Sequence, residues 1–171
     1  MKYYISDLHL GDTLVFKLCG REITIEQFND LIINNWNRVV QEDDEVYILG
    51  DLANEEYKDC IICLRQLYGN KHLIIGNHDI ELLEDEAFRI QLQKIMSIKH
   101  EDLIEDSGRL VFLSHYLLLD WSECHRGSYL IYGRIHNKSI PEIKSFYNYK
   151  PAFNASTDVT GFIPQTLDEL M

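Results

Sequence analysis

The chain has 171 residues, which suits one domain, and 46% of them are hydrophobic, enough for a core without disulfide staples. Its formal net charge of −12 argues against broad binding to nucleic acid or to an anionic membrane, both of which need a Lys/Arg surface. A nucleotide substrate stays open, because a bound metal can supply local positive charge.

Lys2–Ile5 is expected to be a strand and not an apolar targeting segment. Thr24-x-x-Gln27 is a capping box, and it opens a helix whose apolar residues Ile25, Phe28, Leu31, Ile32, Trp36 and Val39 recur at helical spacing. Glu45–Leu49 reads as the second strand. Tyr57, Cys60, Ile61, Leu64 and Leu67 mark a second helix, and His72–Ile75 is a short apolar strand of the kind buried in parallel sheets. A helix over Glu86–Lys94 then gives way to strand-like runs at Leu103–Glu105, Leu110–Leu113, Tyr129–Tyr132 and Ala152–Ala155. Asp106-Ser107-Gly108 has hairpin-turn chemistry between the first two of these. The order is α/β first and β-rich later, which two packed mixed sheets flanked by helices would satisfy. With no repeat and no Pro/Gly-rich linker, residues 1–171 read as a single domain, and no apolar run approaches a membrane span.

The cysteines are Cys19, Cys60, Cys63 and Cys124. Cys60-x-x-Cys63 falls inside a helical pattern, and no second close pair exists to complete a zinc site. It therefore reads as packing and not as a zinc or redox motif, with a reducing cytoplasm as the expected compartment.

Polar residues collect where apolar strands end. Ile5 leads into Ser6-Asp7-Leu8-His9-Leu10-Gly11-Asp12, Leu49 into Gly50-Asp51-Leu52, and Ile75 into Gly76-Asn77-His78-Asp79. Leu113 leads into Ser114-His115-Tyr116, and Tyr132 into Gly133-Arg134-Ile135-His136-Asn137. Ligands of α/β sheets gather beyond the carboxyl ends of strands, so these five loops are expected to converge. The residue types suit a metal pair: Asp supplies charge and can bridge two ions through its two oxygens, while imidazole and amide complete the shells. Asp7-x-His9 would put both side chains on one side of an extended segment. Glycines before Asp51, Asn77 and Arg134 would let the backbone approach a ligand.

Asp7-Leu8-His9, Gly50-Asp51, Gly76-Asn77-His78-Asp79, His115 and Gly133-Arg134-Ile135-His136 together resemble the calcineurin-like metallophosphoesterase superfamily. The pieces run in family order over residues 1 to 137, and the chain is most similar to small cap-less bacterial or phage members, which also end in a segment like Asp158-Val159-x-Gly161-Phe162-x-Pro164. The resemblance implies a four-layer α/β/β/α sandwich. It implies that Asp7, His9 and His136 hold one metal, that Asp51 bridges, and that Asn77 and His115 hold the second. His78 would be the acid at the leaving group, oriented by Asp79, although Asp79 also fits a helix N-cap before Ile80. The expected cofactors are one or two divalent transition metals (Mn, Fe, Zn or Ni, with Mn foremost), whose activated water would hydrolyse a small or nucleotide-like phosphate ester, as a phosphodiesterase.

One position departs from the pattern. The family's Gly-His-x-His is Gly133-Arg134-Ile135-His136 here, and a guanidinium has no lone pair for a metal. Either the second metal is held weakly by Asp51, Asn77, His115 and water, or Arg134 grips phosphate oxygens itself. The competing function is a catalytically impaired relative that binds a phosphorylated ligand or partner. Lys17 and Arg21 read as a solvated pair that could meet a phosphate, and His125 as a surface residue with a claim to line the pocket. His72 and His100 match no motif. Trp36 and Trp121 read as packing residues and not as nucleobase platforms.

Overall fold

The computed structural model describes residues 1–13, 23–54, 58–136 and 151–171. Eight strands form two four-stranded sheets, in the orders β1-β2-β3-β4 and β5-β6-β7-β8. The first contains β1 (Lys2–Ile5), β2 (Glu45–Leu49), β3 (Asn70–Ile74) and β4 (Met96–Lys99), and every pairing in it is parallel. The second contains β5 (Asp102–Asp106), β6 (Arg109–Leu113), β7 (Tyr129–Tyr132) and β8 (Ala152–Asn154). There β5 and β6 run antiparallel, while β6, β7 and β8 run parallel, so mixed strand direction is confined to this sheet. The hairpin turn uses Ser107 at φ 54° and Gly108 at φ 79°. Positive φ at both central residues is the turn that matches the strand twist.

Successive side chains along a strand face opposite ways, and the sequence uses that alternation to build separate layers. Tyr3, Ile5, Val46, Ile48 and Leu73 face one helical layer, whereas Tyr4, Tyr47, Leu49 and Ile74 face the second sheet. Val111, Leu113 and Ile131 meet them from the second sheet. Phe112, Leu130 and Tyr132 point out of its far face, where Trp121 covers them with Leu117 and Leu118. The helical layer contains α1 (Ile25–Val39), α2 (Cys60–Leu64), α3 (Asp79–Glu84) and α4 (Glu86–Leu92); short helices α5 (Thr157–Thr160) and α6 (Leu167–Leu170) close the chain. No helix among the described residues is long and apolar enough to cross a membrane.

The capping box forms as expected. The Gln27 amide N–H donates to Thr24 Oγ1 at 3.2 Å, and Thr24 N–H donates to the Gln27 side chain at 2.9 Å. Phe28, Ile32 and Trp36 are the buried stripe of α1, while Leu31 is exposed on its flank. The second helix is shorter than its apolar spacing suggested: Tyr57 lies outside the described residues, and Leu67 is buried beyond the helix end. The helix expected over Glu86–Lys94 stops at Leu92, where the chain turns into β4. Cys60 and Cys63 are free and buried in α2; burial pushes their thiols up to about 12 and about 11, so they behave as packing groups.

Trp36 is fully buried, and its indole N–H donates to the Tyr68 carbonyl at 3.0 Å. Trp36→Ala is expected to cost about 3–5 kcal/mol in urea unfolding, the range for truncating a large buried aromatic. A loss below about 1 kcal/mol would show that α1 does not anchor the first sheet.

Candidate metal centre

Backbone hydrogen bonds join the loop that leaves β1 to that of β2, and the loop of β6 to that of β7, while the Asp79, Asp51 and Asp7 carboxylates tie in the β3 loop and link the two pairs. Asp7 N–H donates to the Gly50 carbonyl at 3.0 Å, His9 N–H to the Asp51 carbonyl at 3.0 Å, and Gly133 N–H to the His115 carbonyl at 3.0 Å. Asp7 (φ 57°), His9 (φ 47°), Asp51 (φ 55°), Arg134 (φ 65°) and His136 (φ 51°) all adopt left-handed backbone. The Asp7–His9 segment is therefore not extended as expected; two left-handed turns, not strand alternation, bring its side chains to one place. Non-glycine residues rarely hold this conformation, and each costs about 1–3 kcal/mol unless its surroundings over-determine it. Close approach needs glycine at three positions: a Cβ on Gly50 would run into the His115 ring and the Gly76 backbone, one on Gly76 into Asp51, and one on Gly133 into Ser6 Oγ.

Two groups of potential ligands result, Asp7 with His9 and His136, and Asp7 with Asp51 and His115. Within each group the donor atoms lie within 4.8 Å of one another. Asp51 Oδ2 faces both groups, 3.8 Å from His9 Nε2 and 3.5 Å from His115 Nε2. Its partner oxygen Oδ1 accepts the His78 backbone N–H at 3.0 Å. Asn77 Oδ1 lies 3.2 Å from His115 Nε2 and joins the second group.

The tautomers follow from the outer contacts. His115 Nδ1 lies 2.7 Å from the Leu49 carbonyl, which can only accept, so Nδ1 carries a proton. His115 Nε2 faces two oxygens: against the effect of burial, contact with Asp51 raises the His115 pKa and favours a proton there, while in the neutral ring the Nε2 lone pair and those oxygens together fit a cation. His9 Nε2 and Asp51 Oδ2 are both buried and have no hydrogen-bond partner. Such orphaned acceptors are costly, and a divalent cation would satisfy them together; the residues present fit a metal.

The charge states of the metal-free centre divide: His9 and Asp51 are held in forms that offer lone pairs, whereas, against burial, contact with Asp51 raises the His115 pKa, and the Asp158 hydrogen bond raises that of His136. Burial lowers the His9 pKa to about 4, which keeps the ring neutral and its lone pair available. Burial works against ionised Asp51, but contact with His115 and the His78 N–H carries it down to about 2. For Asp7 burial prevails and raises the pKa, despite the Ser6 hydroxyl 2.7 Å from Oδ2.

His78 is exposed at the rim, and its ring meets His9 edge-on at 5.3 Å between centroids. Asp79 does not reach that ring. Its carboxylate accepts backbone N–H groups of Asp51 at 2.9 Å, Leu52 at 2.8 Å and Gly76 at 2.7 Å. It is also the first residue of α3 and not its N-cap, which is His78. Asp79 therefore braces the β2 and β3 loops against each other. Burial raises its pKa to about 6 in spite of those three donors.

Arg134 is exposed; its backbone N–H donates to both Asp7 carboxylate oxygens at 3.2 Å, while its guanidinium forms no ion pair with any described residue. His125 and His100 are exposed. His72 stacks on Tyr47, and Trp36 and Trp121 are core residues. Lys17, Arg21 and Asn137 lie outside the described residues. The sequence reading assigned no role to Ser6 or to Asp158, whose Oδ2 lies 2.7 Å from His136 Nδ1.

A fold of this kind with acidic and imidazole ligands at its strand ends defines a metal-dependent phosphoesterase class. The calcineurin-like phosphoesterase profile matches residues 3–159, and the chain belongs to that family. It is 30% identical over 169 residues to an uncharacterised protein of Methanocaldococcus jannaschii, covering 97% of this chain and 86% of that protein. It is 34% identical over 80 residues to the Gene 66 protein of Mycobacterium phage L5, covering 45% of this chain and 39% of that one. The crystal structure of a protein of unknown function from Aquifex aeolicus shares the fold, with a TM-score of 0.74 at 24% identity over 100% of this chain and 99% of that chain.

Asp79→Asn replaces one acceptor oxygen by a donor facing buried N–H groups. In metal-free protein it is expected to cost about 1–3 kcal/mol in denaturant unfolding. Unchanged stability would refute the bracing role.

Proposed function

We propose that this chain is a metal-dependent phosphodiesterase acting on a small or nucleotide-like ester. The observation that carries the proposal is the pair of buried, unpartnered acceptors His9 Nε2 and Asp51 Oδ2, set between two groups of potential ligands. In this reading Asp7, His9 and His136 would hold one divalent ion, Asn77 and His115 would hold a second, and Asp51 would serve both. Carboxylate and amide oxygens beside imidazole suit manganese, with iron, zinc and nickel as alternatives. When bound, the ions supply Lewis-acid activation of water and neutralise charge on the phosphoryl oxygens. Cytoplasmic location is part of the same proposal.

The remaining work falls to the chain. Asp51 is kept ionised and His9 neutral, so both offer lone pairs at neutral pH. His78 is within reach of solvent and substrate, and its ring N–H would protonate the departing alkoxide, a task worth about 10²–10⁴-fold. Arg134 would aim its planar fork at non-bridging oxygens. A diester carries less charge than a monoester, which favours it for an acidic chain with one guanidinium at the rim. The alternative of an impaired, ligand-binding relative rested on Arg134 alone. Its guanidinium is exposed and unpaired with Asp7 or Asp51, which favours a role toward substrate over occupation of the second metal position.

Metal-free protein titrated with Mn²⁺ is expected to bind about two equivalents and to acquire hydrolysis of an aryl phosphodiester. Elemental analysis showing no metal after exposure to Mn, Fe, Zn and Ni in turn would overturn the proposal. Metal binding without turnover of diesters or monoesters would favour the ligand-binding alternative. His78→Ala is expected to slow substrates with poor leaving groups about 10²-fold or more and those with good ones far less. Equal losses on both would mean that His78 positions the phosphate and does not protonate the leaving oxygen.

A further inference from the structure

We infer that Asp158 is a positioning residue for His136, and that the segment from Asn154 to Asp158 clamps the Asp7–His136 half of the centre. The inference rests on the metal reading above. His136 follows β7, and Asp7 follows β1 in the other sheet, so no strand pairing fixes their separation. The clamp supplies that tie.

Asn154 Nδ2 donates to the His136 carbonyl at 2.7 Å, which holds the backbone of the last loop. Thr157 Oγ1 donates to the Asp7 carbonyl at 2.8 Å, and Thr157 N–H donates to the Ser6 carbonyl at 3.0 Å, which holds the first loop. Asp158 completes the set: with Oδ2 at 2.7 Å, His136 Nδ1 donates to it. That hydrogen bond puts a proton on Nδ1, so that in the neutral ring Nε2 is the lone pair, 3.9 Å from Asp7 Oδ1. His115 is treated the same way by the Leu49 carbonyl. A half-exposed imidazole in solution would rotate and exchange tautomers; a carboxylate at Nδ1 removes both freedoms before any ion arrives. Outer contacts of this type are worth about 10–100-fold in metal affinity.

The test uses the full chain and Mn²⁺ alone as the probe, with free Mn²⁺ followed by electron paramagnetic resonance. Asp158→Ala is expected to weaken Mn²⁺ binding about 10–100-fold. Asp158→Asn keeps an acceptor oxygen without the charge and should recover much of that loss. In ¹⁵N-labelled, metal-free wild-type protein, His136 should show the Nδ1–H tautomer, and Asp158→Ala should shift it toward Nε2–H. A merely structural contact would not move this tautomer signature. If Asp158→Ala retains both the Nδ1–H tautomer and wild-type Mn²⁺ affinity, the inference is overturned. If Asp158→Ala fails to fold, a wild-type tautomer and affinity in Asp158→Asn together with equal values in Asp158→Leu would overturn it as well. Wild-type protein that binds no Mn²⁺ fails at the earlier step and overturns the metal reading itself.

Discussion

Burial of lone pairs that face one another is the constraint on which this structure turns. Asp51 Oδ2 sits without a hydrogen-bond partner within 4 Å of imidazole nitrogens from two different loops. In water such acceptors would each bind a donor, and inside a protein an unsatisfied one costs on the order of 1–3 kcal/mol. Everything around them prevents the cheap remedy of moving apart. Asp51 is fixed by its own N–H on Asp79 and by Oδ1 on the His78 N–H; His115 is fixed by the Leu49 carbonyl. A cation entering between these atoms would satisfy them together, and the rigidity around them would then count toward its affinity.

That arrangement is transmitted through backbone rather than side-chain packing. Four potential ligands, Asp7, His9, Asp51 and His136, hold left-handed φ, and main-chain N–H groups tie each loop to a neighbour's carbonyl or buried carboxylate. The apolar strands beneath are almost wholly buried, so the loops stand on a floor that does not yield. Gly76 and Gly133 matter for the room they leave, since a methyl group at either would push into Asp51 or Ser6. Strain concentrated at the site is balanced by ordinary, well-packed layers elsewhere.

The same division explains what the sequence made legible. β1, β2 and β3 are buried parallel strands, so they appear as apolar runs, and the polar residues that follow them stand out as loops at the carboxyl edge. Asp7, His9, Asp51, Asn77, His115 and His136 could all be found in that way, and so could the capping box at Thr24. β4 could not: Met96-Ser97-Ile98-Lys99 is short, pairs only with β3, and alternates apolar with polar residues as an edge strand does. α2 was read too long, because Leu67 is apolar for reasons of burial after the helix has ended. Roles that depend on long-range hydrogen bonds were also hidden. Asp79 sits beside His78 in sequence but serves backbone amides, and Asp158 lies 22 positions from the ring it holds. The left-handed turns at Asp7 and His9 were invisible because neither residue is glycine.

Charge closes the argument. A chain with net charge −12 disfavours the approach of an anionic ester in general. The centre itself begins negative, with Asp7 and Asp51 buried within it. Two divalent cations would more than offset those two carboxylates and leave a small positive region inside an acidic protein. Arg134 at the rim would extend that region outward. Field lines concentrate in such a place when its walls are apolar, so an ester's phosphate would be drawn to the loaded centre. The net acidic charge and an occupied centre would thus act in the same direction: the first disfavours polyanions in general, and the second would admit a phosphate ester at one point.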